Sequence, residues 1–168
     1  MYKVIIADDE YWAAYGLQHS IRWEDYGFDV AGIAQDGREA LDMCRELRPS
    51  VLISDIRMPG MDGLELLSAL RLSLSWVEVV FVSGYAEFSY AQQAVRLGAF
   101  DYMLKQVDET QLAELLGRLR LHLDKRACET GRYTDSIQLA ENCGAADSID
   151  AHCGGLCLSE GGGGRILR

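Results

Sequence analysis

Five short apolar runs alternate with five stretches of helical periodicity, and this alternation restricts the fold more than any other feature of the chain. The runs are Tyr2–Ala7, Phe28–Ala34, Val51–Ser54, Val77–Val82 and Phe100–Leu104. They are rich in Val and Ile and have strand length. The fourth is nearly all β-branched, as in a strand covered on both faces. Between them, apolar residues recur at helical spacing. A first helix opens at Asp9 or Glu10 and carries Trp12, Tyr15, Leu17 and Ile21. Asp36 caps a second, with Ala40, Leu41, Cys44 and Leu47, which Pro49 ends. Leu64, Leu67 and Leu70 mark a third, and Phe88–Leu97 a fourth, closed by Gly98 as its C′ residue. Thr110–Lys125 is the fifth, with Leu112, Leu115, Leu116, Leu119 and Leu123 on one side. Strands that alternate with helices predict an α/β fold: a doubly wound, five-stranded parallel sheet with right-handed crossovers and helices on both faces.

Ligands and substrates of such sheets sit at the carboxyl ends of the strands. Those ends hold a coherent set: Asp8, Asp9 and Glu10 after the first strand, Asp55 after the third, Ser83 at the fourth and Lys105 after the fifth. Any one of these acids reads equally as a helix cap or a loop residue. Together they place several carboxylates, a hydroxyl and an ammonium on one edge. Two carboxylates about 4 Å apart repel by on the order of 4 kcal/mol at an effective dielectric of 20. Such a cluster raises its pKa values or takes a hard cation, and a set of few oxygen ligands suits Mg²⁺.

At these residues the chain resembles a known family. Asp8-Asp9-Glu10, Asp55-Ile56-Arg57-Met58-Pro59-Gly60-Met61-Asp62-Gly63, Ser83-Gly84 and Gly98-Ala99-Phe100-Asp101-Tyr102-Met103-Leu104-Lys105 are similar, in order and strand context, to the receiver domains of bacterial two-component response regulators. Ser83-Gly84-Tyr85, Phe88-Ser89-Tyr90-Ala91 and Trp23–Phe28 resemble the receivers that precede AraC-type DNA-binding output domains. The resemblance implies a flavodoxin-like sheet of strand order 2-1-3-4-5 over residues 1–125. It implies that Asp55 is the phosphoacceptor, charged by a sensor histidine kinase and acting as a carboxylate nucleophile rather than as a turnover enzyme. Asp9, Asp55 and the backbone carbonyl of Arg57 would ligate Mg²⁺, with Asp8 acting mainly through water. Lys105 and Ser83 would hold the phosphoryl oxygens, and Tyr102 would be the aromatic switch paired with Ser83. A homodimer through the fourth helix, fifth strand and fifth helix would be the output, with Arg118, Arg120, Lys125 and Arg126 meeting acids such as Glu87 and Asp101 of the partner.

Three other readings carry less of the sequence. A phosphatase with an aspartate nucleophile would need a second Asp two residues on, where Arg57 stands. A receiver-like interaction module that no longer responds to phosphate fits Gln106, which follows Lys105 where the family has a cis proline. A cis bond before a non-proline residue costs about 3–4 kcal/mol, so either the loop is re-routed or the bond is strained. Zinc binding by Cys143, His152, Cys153 and Cys157 lacks a partner for the first ligand and a surrounding core.

Composition bounds the rest. Residues 1–125 hold 12 basic and 20 acidic side chains, and residues 126–168 hold 4 and 6. Neither part has the basic footprint of a phosphate-backbone binder, so no direct nucleic-acid contact is expected. No apolar stretch is long enough to span a membrane, and the first apolar run stops too soon for a signal-peptide core. The expected compartment is the cytoplasm. Residues 126–168 contain four of the five cysteines, 8 of the 17 glycines and no Pro, Trp or Phe. They read as a poorly structured tail with no output-domain pattern, equally a remnant, a linker or sequence foreign to the family.

Overall fold

The computed structural model describes residues 1–84, 88–105 and 108–143, and side chains throughout these except at 88 and 130–143. The elements in chain order are β1 (Tyr2–Ala7), α1 (Tyr11–His19), a 3₁₀ turn (Trp23–Tyr26), β2 (Phe28–Ala34), α2 (Gly37–Leu47), β3 (Val51–Ser54), α3 (Gly63–Ser73), β4 (Glu78–Ser83), α4 (Phe88–Arg96), β5 (Asp101–Leu104) and α5 (Glu109–Cys143). The sheet order is β2-β1-β3-β4-β5 and every pairing is parallel, as expected. The β1–β2 register slips between Val4 and Ile5, where Val30 pairs with Val4 and Gly32 with Ile5, a bulge at a strand glycine.

Side-chain alternation along the strands makes two apolar layers. Ile5, Leu52, Val79 and Phe81 face Leu41, Leu66, Leu67, Leu70 and Ala94, so α2, α3 and α4 cover one face. Val4, Ile6, Ile53 and Val80 face Ala14, Leu112, Leu115, Leu116 and Leu119, so α1 and α5 cover the other.

Local chemistry sets the helix ends. The Asp36 side chain accepts hydrogen bonds from the Arg38 and Glu39 amides at 2.8 and 2.9 Å. Gly98 has φ +79°, the left-handed residue that closes α4. Asp62 and Glu65 form a capping box at the start of α3. The spacing Asp62-x-x-Glu65 is the sequence signal for that box. At α1 neither acid caps through its side chain from Glu10; instead Asp8 Oδ1 accepts from the Glu10 amide at 2.9 Å.

Contacts divide the chain into Met1–Cys128 and Glu129–Arg168. Helix α5 runs to Cys143 rather than ending near Lys125. Nothing between 126 and 143 breaks a helix: there is no proline and a single glycine, Gly131. Within the first unit, α5 is tied down at its far end by Glu78, which is buried at the amino end of β4. Glu78 pairs with Arg126, with His122 at 3.0 Å and with Arg71 of α3 at 3.9 Å. Arg118 pairs with Asp101, and Arg120 donates to the Tyr26 carbonyl at 3.1 Å. These cations, expected to meet a partner, have acceptors within their own chain. Tyr85, Glu87, Gln106, His152, Cys153, Cys157 and the Cys143 side chain lie outside what is described.

Gly63 allows α3 to start against the loop after β3. A Cβ there would lie 2.3 Å from the Asp55 carbonyl oxygen and 2.9 Å from Phe81 Cε1. Gly117 in α5 faces open space. Gly63→Ala is expected to destabilise by about 1–3 kcal/mol through overpacking, and Gly117→Ala to stabilise by roughly 0.5–1 kcal/mol. Chemical denaturation of the two variants checks this; equal midpoints would contradict the close approach at Gly63.

Candidate functional site

The register places the acids. Ala7 of β1 lies opposite Ser54 of β3, so Asp8 and Asp55 leave adjacent strands side by side. The Asp55 amide donates to the Ala7 carbonyl at 2.8 Å, and the Asp8 amide to the Ala34 carbonyl at 3.0 Å. Asp8 and Asp55 are buried and Asp9 is exposed, yet one carboxylate oxygen of each lies within 4.8 Å of the others. The Ile56 amide donates to Asp55 Oδ1 at 2.6 Å and fixes the carboxylate's orientation.

Lys105 arrives from the far side of the sheet. Its amide donates to the Ser83 carbonyl at 2.8 Å, which extends the β4–β5 ladder by one rung. From there Nζ reaches Asp55 Oδ2 at 2.8 Å, Asp8 Oδ2 at 3.0 Å and Glu10 Oε2 at 3.4 Å. Glu10, at the end of the first strand, joins the set through this contact, a role its position alone does not assign. Burial pulls the Lys105 ammonium down, but its hydrogen bonds to Asp55 and Asp8, with their charges, outweigh that and hold it well above the ordinary lysine range. Lys105 is therefore charged at neutral pH. Burial pushes the Asp8 carboxyl up, opposed by the Glu10 amide and by Lys105.

Asp9, Glu10, Asp55, Arg57, Gly84 and Lys105 line one open cleft of about 450 Å³. Asp8 lies beside it as the second carboxylate on Lys105. Four carboxylates against the Lys105 ammonium and the Arg57 guanidinium leave the cleft net negative. The donors are hard oxygens on two rigid strand ends, one of them solvent-facing. That set fits Mg²⁺, which keeps several waters and takes few protein ligands. Ser83 is fully buried at the end of β4. Tyr102 lies opposite Phe81 in the β4–β5 register and is half-buried against the layer covered by α2, α3 and α4.

Residues 4–117 match the model of the response regulator receiver domain. The chain belongs to that family. It is 39% identical over 132 residues to the transcriptional regulatory protein HptR of Staphylococcus aureus strain N315, covering 79% of this chain and 52% of that protein. It is 36% identical over 126 residues to the transcriptional regulatory protein YesN of Bacillus subtilis strain 168, covering 75% and 34%. The chain thus spans about half of the first relative and a third of the second. Among solved structures, the receiver domain of AraT, a response regulator from Geobacillus stearothermophilus, superposes with a TM-score of 0.71 at 40% identity, covering 75% of this chain and 98% of that one. The receiver fold and its membership in two-component response regulators are therefore established, and no helix among the described residues is long and apolar enough to cross a membrane.

Lys105→Met would leave two buried carboxylates facing each other. The receiver is expected to lose about 3 kcal/mol of stability at pH 7, the order found when one partner of a buried pair is removed. Asp8 would lose an interaction that lowers its pKa, so the folded state would hold that proton more tightly than the unfolded chain. Stability then rises as pH falls, and the deficit against wild type should shrink between pH 7 and 5. Urea unfolding across that range checks this; a deficit independent of pH would contradict the pairing.

Proposed function

We propose that Asp55 accepts a phosphoryl group from the phosphohistidine of a sensor kinase and that the modified receiver changes its protein contacts. The observation that carries this is the Lys105 ammonium 2.8 Å from Asp55 Oδ2 in a cleft that remains net negative. A nucleophilic carboxylate needs an approaching phosphoryl group to be neutralised more than it needs covalent help. An Asp55 oxygen forms the bond to phosphorus while the P–N bond of the donor breaks, and its electron pair returns to the imidazole, which takes up a proton. Lys105 pairs with one phosphoryl oxygen. Ser83 donates its hydroxyl to another, and Tyr102 follows Ser83 inward. Asp9, Asp55 and the Arg57 carbonyl would hold Mg²⁺, with Asp8 reached through water. When bound, the ion supplies positive charge opposite the phosphoryl oxygens. The chain catalyses its own phosphorylation and slow dephosphorylation without turnover, in the cytoplasm where such kinases present their histidines.

Acetyl phosphate or phosphoramidate with Mg²⁺ should add one phosphoryl group to the wild type and none to Asp55→Asn, read by intact mass. Wild type that stays unmodified would favour the alternative, a receiver-like interaction module that no longer responds to phosphate.

The relatives' names place them in transcriptional regulation, and this chain's own acidic balance gives it no role in touching DNA. Its output is proposed to be a homodimer through α4, β5 and α5. Val95 and Leu104 support that face, exposed at 72% and 46%. Charge pairing supports it less, since Arg118 and Arg126 are satisfied internally. Sedimentation with beryllofluoride, a phosphoryl mimic, should tighten self-association about tenfold, equivalent to about 1.4 kcal/mol. Identical constants in both states would leave a heterologous partner as the target.

A further inference from the structure

We infer that residues 119–126 of α5 are a fixed pivot: two polar clamps, one on each flank, pin this part of the helix to the sheet, so a change of state at Asp55 swings α5 about it. The swing rests on the reading of Asp55 as phosphoacceptor; the clamps do not. Pairs of residues four apart form columns along the helix. Leu119 and Leu123 are buried in the layer that holds Val4, Phe28 and Val51. Arg120 and Asp124 lie on one flank of that ridge, and His122 and Arg126 on the other. Leu121 points away from it and is exposed.

The first clamp is the Trp23–Phe28 turn, which the proposed reaction does not use. Trp23 is buried and its Nε1 donates to the Gln18 carbonyl at 2.8 Å, which anchors the turn. Gly27 closes it at φ +82°, and a Cβ there would lie 1.8 Å from Arg120 Nη1, so the guanidinium rests on bare backbone. Arg120 Nη1 donates to the Tyr26 carbonyl at 3.1 Å and Nε to Asp124 Oδ2 at 3.4 Å. The Tyr2 hydroxyl, at the start of β1, donates to Asp124 Oδ1 at 2.5 Å. The second clamp is Glu78, which joins Arg126 and His122 to the start of β4. Arg71 widens it, donating to the Val77 carbonyl at 2.8 Å and to the Gly98 carbonyl at 2.6 Å, and the His122 ring lies 5.2 Å from that of Phe100. The ends of α3 and α4 and the starts of β4 and β5 thus meet α5 around one buried carboxylate.

Hydrogen bonds are directional, and separating the members of a buried charged cluster is costly. Residues 119–126 therefore resist both sliding and rolling. The first half of α5 is held differently. Leu112, Leu115 and Leu116 bind it to the same layer by apolar packing, which is non-directional and tolerates helix shifts of about 1–2 Å. That half starts at Glu109, just after Lys105, so it is the half nearest in sequence to the proposed phosphoryl site. A helix pinned at one place and loosely packed near the site converts a local change at the strand ends into a swing.

The test is amide hydrogen exchange along α5 in the full chain, with and without Mg²⁺ and beryllofluoride, in wild type, Glu78→Gln, Asp124→Asn and Leu121→Ala. In wild type the phosphoryl mimic should change exchange at residues 110–116 and leave 119–126 unaltered. Without the mimic, Glu78→Gln should speed exchange at 119–126 about tenfold or more, because a buried charge is removed from its partners. Asp124→Asn, at an exposed pair, should speed it about two- to threefold and leaves the fold intact. In both variants the mimic's effect should spread through residue 126. Leu121→Ala, on the outward face, should do neither. Unchanged exchange at 110–116, equal changes along all of α5 in wild type, or wild-type exchange at 119–126 in both clamp variants would overturn the pivot and leave Asp55 as acceptor. Beryllofluoride that alters no amide near Asp55 would overturn the acceptor reading, and the swing with it.

Discussion

Asp8 and Asp55 are forced together by the backbone, because β1 and β3 are neighbours and pair Ala7 with Ser54. Two buried carboxylates in that position repel by several kcal/mol unless something stands between them. Lys105 is that group, and its reach depends on β5 ending beside Ser83. The site therefore needs the whole sheet: two adjacent strands to supply the repulsion and a third, two places away, to supply the partial remedy. The core layers on either side exist in this register because a one-residue slip would turn Ile5, Leu52 and Phe81 to the wrong face.

The two ends of β4 treat buried charge in opposite ways. At the amino end, Glu78 meets Arg126, His122 and Arg71, so one carboxylate has more than enough donors. That end is closed electrostatically and serves to hold α3 and α5. At the carboxyl end three carboxylates share the Lys105 ammonium, and the imbalance is left open to solvent through Asp9 and the cleft. A surplus of oxygen donors costs stability, and under the proposed function a cation and a phosphoryl group would complete the set. The same logic explains why the positive charge there is a lysine held at three carboxylates rather than a bidentate arginine locked to one.

Much of this was legible in the residues. Val and Ile runs located all five strands within a residue or so, Asp36 and Gly98 marked helix ends, and the acids, Ser83 and Lys105 fell where strand ends put them. What escaped depends on contacts between distant parts of the chain. The Arg120–Tyr26 contact, the Glu78 cluster and the internal pairing of Arg118 with Asp101 join residues that no local pattern connects. Helix α5 outran its expected end because helix length there follows from the absence of a breaker, while the apolar periodicity stops at Leu123. The bulge in β2 did carry a mark, Gly32 inside an otherwise apolar strand. Asp62 and Glu65 did carry a signal, the capping-box spacing, and reading it would have placed the start of α3.

The central claim is that the open imbalance at the strand ends is a site for Mg²⁺ built on Asp9 and Asp55, with Asp8 a step removed. Calorimetric titration of Mg²⁺ into wild type, Asp8→Ala, Asp9→Ala and Asp55→Ala measures it most directly. The account predicts one ion per chain in wild type, binding weakened most in Asp9→Ala and Asp55→Ala, and a smaller loss in Asp8→Ala. Equal affinities in all four proteins would contradict it.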